Sequence, residues 1–99
     1  MASTSDLPKA KFPLGQIIGT PRALRVLDTA RQAPWEYIIK RHAQGDWGDM
    51  CNEDHEANER ALLEGDRLMS AYTLPTGVKV WVITEADRSA TTIMLPEEY

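Results

Sequence analysis

The strongest constraint in this chain is the change of hydrophobic period at Arg67. Before it, apolar residues recur at three- and four-residue steps; after it, they alternate. Leu68, Ser70, Tyr72 and Leu74 fall on one side of an extended segment and Met69, Ala71 and Thr73 on the other, because successive side chains of a strand point to opposite faces. Pro75-Thr76-Gly77 reads as a type I turn closed by a Gly bulge, which sets Leu74 beside Val78 and fixes the register of the next strand. Val78, Val80, Val82 and Thr84 join the Leu68 face. Ala86-Asp87-Arg88-Ser89 reverses the chain again, and Ala90 to Leu95 makes a third strand with Thr91, Ile93 and Leu95 on the same face, closed by Pro96. The C-terminal third is therefore expected to be a three-stranded antiparallel meander with one side that helices must cover. Its reverse side, with Met69, Ala71, Trp81, Ile83 and Met94, is also more apolar than a solvated sheet surface. Either the N-terminal elements wrap round to cover it, or a second copy of the chain does, as a homodimer through Met69, Trp81 and Met94.

The residues ahead of Arg67 supply the cover. Phe12 to Thr20 carries Leu14, Ile17 and Ile18 between Gly15 and Gly19, the pattern of a short strand. Thr20-Pro21 is an N-cap followed by proline at the first helical position, and Ala23, Val26, Leu27 and Ala30 continue as a helix to about Gln32. Pro34 opens a second helix whose stripe is Trp35, Ile38, Ile39 and His42, stopped by Gly45. Trp47 sits inside a Gly-Asp-Trp-Gly-Asp turn and is expected to plug the core. Asn52 then caps a third helix, with Glu53, Asp54 and Glu56 in its first turn, a thin apolar stripe of Ala57, Ala61 and Leu62, and Gly65 at its end. The fold class is α+β: a short N-terminal strand, three helices, then the meander packed on the helices. Met1 to Lys11 has no periodicity and is expected to be a disordered tail, leaving residues 12–99 as a single domain.

Charge narrows the function. Residues 1–44 hold seven Lys or Arg against three acids, and residues 45–99 hold four against twelve, giving +4 and −8 and the net charge of −4. Eight acids between Asp46 and Asp66 face a single Arg60. An acidic domain repels the phosphates that a nucleic-acid binder must neutralise, so a macromolecular partner is expected to be a protein rather than DNA or RNA. Glu53, Glu56, Glu59, Trp81 and Asp87 are the candidate binding residues. No window approaches 18 consecutive apolar residues, so no membrane partner is expected, and with the lone Cys51 this points to a cytoplasmic protein stabilised by packing.

Chemistry-bearing patterns are few. Cys51 and His55 stand four apart with acids nearby, but a zinc site needs three or four ligands and only His42 offers another nitrogen, so no metal or other cofactor is expected. The Leu-Gly-Gln-Ile-Ile-Gly-Thr run lacks the Lys and the third Gly of a phosphate loop. Glu85, Asp87 and Arg88 crowd a hairpin end with Ser89, Thr91 and Thr92. One reading makes Glu85 a base, Arg88 a phosphate clamp, and His42 or His55 the acid of a metal-independent ribonuclease. The other gives Asp87 to the turn backbone and leaves Glu85 and Arg88 to pair across the loop.

The order of elements is similar in outline to barnase and RelE-type toxin ribonucleases, which would imply that ribonuclease reading. Residues 12–99 also resemble a family of small uncharacterised bacterial proteins encoded on plasmids, integrated elements and phages. That resemblance rests on Phe12-Pro13-Leu14-Gly15-Gln16-Ile17, on Gly45-Asp46-Trp47-Gly48, and on the block from Trp81 to Tyr99. It implies a plasmid-related accessory protein and brings no cofactor or catalytic residue with it. The leading expectation is a non-enzymatic protein acting on another macromolecule through its acidic helix or second sheet face. The alternatives are the ribonuclease and an acidic anti-restriction or anti-defence protein.

Overall fold

The computed structural model describes residues 10–99, apart from the side chain of Trp35. Most of the expected N-terminal tail lies outside that range. Lys11, its last residue, is anchored, since its backbone N–H donates to Ala43 O at 2.8 Å.

The fold is α+β. In chain order it runs β1 (Gln16–Gly19), α1 (Pro21–Thr29), a π-helical turn (Trp35–Ile39) continuing into α2 (Lys40–Ala43), α3 (Asn52–Glu64), β2 (Leu68–Thr73), β3 (Lys79–Thr84), β4 (Ala90–Met94) and a 3₁₀ turn (Pro96–Glu98). The meander forms with the expected faces: β2 and β3 pair through Leu68–Thr84, Ser70–Val82 and Tyr72–Val80, and β3 and β4 through Val82–Ile93 and Thr84–Thr91. The Pro75–Gly77 turn has the expected geometry, with Gly77 N–H donating to Leu74 O, Leu74 N–H to Val78 O, and Gly77 at φ 90°.

One correction concerns the sheet as a whole. It has four strands in the order β1-β4-β3-β2, and β1 joins parallel to β4 in the register Gln16–Ala90 to Gly19–Ile93, so the sheet is mixed rather than antiparallel throughout. Gly15 permits this docking. At φ 66° a Cβ there would lie 2.4 Å from the Ser89 backbone.

The helices differ from expectation mainly at their ends. Thr20 caps α1 as read, its Oγ1 accepting from Ala23 N–H, but α1 stops at Thr29 rather than Gln32 because Arg31 turns left-handed at φ 57°. The second helix begins in a widened π turn. An extra residue in the turn shifts the stripe so that Ile38, Ile39, His42 and Ala43 all reach the core. The N-cap of α3 is Cys51, not Asn52, and no side chain caps the backbone there; the Cys51 thiol donates to the Asp54 carboxylate instead. The stripe of α3 is Asn58 and Ala61 with half-buried Leu62, while Ala57 is exposed.

Two apolar clusters lie between helices and sheet. Ala23, Leu27, Ile38 and Ile39 meet Tyr72, Val80, Val82 and Ile93 in the larger one; Phe12, Trp47, Ala61 and Leu68 form the smaller. Helical apolar residues therefore gather on one sheet face. On the other, Ala71 and Ile83 are buried while Met69, Trp81 and Met94 are half-buried, and the Tyr99 ring packs edge-on against Trp81 with centroids 5.5 Å apart. Among the described residues no helix is long and apolar enough to cross a membrane.

Candidate functional site

The proposed acid, His42, stands at the middle of the core. It is fully buried between the rings of Phe12 and Trp47, with centroids at 5.3 and 5.7 Å. Its Nδ1 lies 2.5 Å from Ser70 Oγ and its Nε2 2.9 Å from Thr84 Oγ1; Thr84 Oγ1 lies 2.7 Å from Thr91 Oγ1, which donates to Leu14 O at 2.7 Å. The last bond sets the sense of all the others. Thr91 spends its proton on Leu14 O and so accepts from Thr84. Thr84 therefore accepts from His42 Nε2–H, which leaves Nδ1 to accept from Ser70. The ring is held neutral in one tautomer, and burial lowers its pKa to about 3. Such a histidine joins α2 to β2, β3, β4 and the N-terminal segment, and it has no proton to give near neutrality. The signal for this chain of bonds is present in the sequence as Ser70, Thr84 and Thr91, polar residues on a face that is otherwise apolar.

Arg88 is equally occupied. Its guanidinium donates to four carbonyl oxygens, those of Asp66 (2.7 Å), Glu85 (3.1 Å), Ala86 (3.2 Å) and Ala61 (3.2 Å), and lies over the Phe12 ring. The residue adopts φ 61° at the turn position that glycine normally takes, and these bonds offset that strain while tying the end of α3 to the β3–β4 turn. Asp87 accepts from Ser89 N–H at 2.9 Å, and the turn's N–H and hydroxyl groups hold its carboxyl below the ordinary range. Glu85 is exposed, and Arg88 bonds its carbonyl rather than its carboxylate. His55 reaches Gly48 O at 3.3 Å on another part of the surface. Glu85 and Arg88 thus share a turn, but His42 is enclosed below the sheet surface and His55 belongs to α3.

The acidic helix divides into two sides. On one, Glu59 accepts from Trp47 Nε1–H at 2.8 Å, fixing the buried indole, and Asn58 bonds both backbone groups of Met69. On the other, Glu53, Glu56, Arg60 and Leu63 form an exposed row at helical spacing, and Leu63 is 88% exposed. A shallow depression beside the helix is lined by His55, Glu56, Glu59, Arg60, Leu62 and Leu63. Cys51 and His55 do not converge on a shared centre, and among the described residues no group of three His, Cys, Asp or Glu side chains could hold a metal ion.

Comparison of the chain with protein-family models, with curated proteins and with solved structures gave no match.

Proposed function

We propose that this protein works by binding another protein through the outer side of α3, not by catalysis. The observation that carries the reading is Leu63, a leucine almost wholly in water in a row with Glu53 and Glu56 and beside a shallow depression. A single exposed leucine is ordinary; one that ends a row begun by Glu53 and Glu56, neither in an ion pair among the described residues, offers an apolar anchor on an acidic helix. The fitting partner is a basic segment with an apolar tip, whose cations meet Glu53 and Glu56 while its side chain covers Leu63. The committed states of His42 and Arg88 support the non-enzymatic half of the reading. The resemblance of residues 12–99 to proteins of plasmids and phages makes the partner a component of a bacterial mobile element or of its host.

The test is titration of a cationic, leucine-bearing amphipathic peptide, followed by backbone amide NMR. Shifts should concentrate on α3, weaken as salt is added, and disappear in Leu63→Asp and Glu56→Lys. Binding that those substitutions leave intact would refute the assignment, as would cleavage of RNA by the purified protein that is lost in Glu85→Ala.

A further inference from the structure

The two edges of the sheet are treated in opposite ways. On β2 both outward groups of Met69 and of Ala71, and the carbonyl of Thr73, are engaged by the chain itself. The Asn58 amide bonds Met69 N–H and C=O, Trp47 O and Asp49 N–H bond Ala71, and the Tyr37 hydroxyl donates to Thr73 O. That edge is closed to further strands. On β1, Gln16 N–H donates to Ser89 O and Thr20 N–H to Ile93 O, so alternate residues face β4 and the N–H and C=O groups of Ile17 and Gly19 point away from the sheet. Among the described residues nothing bonds them. Gln16–Gly19 contains no charge and no proline, the usual guards of an open edge. Around it lie three of the large exposed apolar residues, Ile17 (44%), Ile18 (41%) and Leu24 (42%).

We infer that β1 is a self-association edge, pairing antiparallel with β1 of a second copy about a two-fold axis perpendicular to the sheet. This goes beyond the α3 reading and does not depend on it. The outward groups of Ile17 and Gly19 are self-complementary: setting Ile17 of one copy opposite Gly19 of the other closes four N–H···O bonds and brings Ile18 face to face with its image. Gly19 suits this register. A Cβ on it would lie 2.7 Å from Leu24 Cδ2, so Leu24 already overlies the glycine, and the partner's Ile17 arrives beside Leu24 and buries it. A second copy is favoured over an unrelated strand because one register pairs the outward groups of Ile17 and Gly19 and covers Ile17, Ile18 and Leu24 of both copies at once. An edge of four residues makes a contact smaller than the roughly 1,200–2,000 Å² of a stable complex, so the association is a weak one, to be sought at high protein concentration.

Two measurements decide it. Sedimentation velocity from low to high micromolar concentration should show monomer passing to dimer, with Ile18→Lys held as monomer while its circular dichroism and melting remain those of the parent. In a Cys51→Ser background, Ile18→Cys should cross-link on oxidation, since facing residues in a non-hydrogen-bonded pair stand about 4.5 Å apart at Cα, within disulfide reach. Ile17→Cys, whose image is displaced along the strand, should not. A chain that stays monomeric throughout overturns the proposal. So does a dimer that survives Ile18→Lys, whether it is held by the Trp81 face or by another surface, and so does equal cross-linking of the two cysteine variants.

Discussion

Lowering the pH from 7 to 5 should destabilise this protein far more than its carboxylates can explain, and His42 should account for the difference. Folded, the ring takes its proton at about 3; unfolded, at the ordinary 6.5. Between those values the unfolded chain binds the proton that the folded chain refuses, so stability rises with pH across that window and is flat above it. From pH 7 to pH 5 the linkage integral comes to about 2 kcal/mol, a large share of the 5–15 kcal/mol that holds a typical domain. The physical origin is burial together with the fixed sense of the buried hydrogen bonds: a second ring proton on Nδ1 would meet the Ser70 hydroxyl proton. The carboxyl groups of Asp46, Asp87 and Glu98 are held below their ordinary range by Arg41, by the Ser89 turn groups and by Leu95 N–H respectively. They therefore add to the loss only at lower pH. Urea unfolding at the two pH values measures the drop, and His42→Gln is the control, because its amide can accept from Ser70 and donate to Thr84 but cannot titrate. The variant's drop should be under about 0.5 kcal/mol. A parent whose stability is the same at pH 5 and pH 7, or an NMR titration of the folded His42 ring near 6.5, refutes the reasoning.

Other perturbations separate structural from chemical roles. Arg88→Ala removes a donor shared by four carbonyls, of which those of Ala61 and Glu85 keep backbone N–H partners, and should cost about 1–3 kcal/mol in urea unfolding, whereas Glu85→Ala, at an exposed position, should change stability by less than about 0.5 kcal/mol. Asn58→Ala leaves both Met69 backbone groups unpaired on β2; it should lose roughly 2–3 kcal/mol and, with that edge opened, scatter light as species larger than a dimer, which the parent does not form. Trp47→Ala, removing a buried indole and its bond to Glu59, should cost about 3–5 kcal/mol, read as a large drop in melting temperature.

How much of this was legible beforehand depended on how far apart the interacting residues lie in the chain. The meander, its faces and its tight turn follow from alternation and from Pro75-Thr76-Gly77, because side-chain period and turn geometry are properties of adjacent residues. The same is true of the start of α1 at Thr20 and the end of α3 at Gly65. Glu59 and His42 show the limit. As sequence, both are polar groups available for chemistry, and nothing nearby announces that Glu59 will bond an indole twelve residues earlier and His42 the hydroxyls of β2 and β3. Arg88 reads as a free cation in a polar turn, yet its partners include Ala61 and Asp66, brought to it only when α3 docks.

Local order, then, was written into the chain: which segments are extended, which are helical, which face of the meander is apolar, and where the acid concentrates. Tertiary structure alone decided that β1 lies parallel to β4 at an open edge, that His42 is sealed into a neutral tautomer, and that Glu59 is tied to the Trp47 indole while Leu63 stands out in water. The division has one physical cause. Backbone preference and side-chain period act over a few bonds and repeat along the sequence, whereas strand partnership, burial and the direction of a hydrogen bond depend on groups that meet only after the chain has closed on itself.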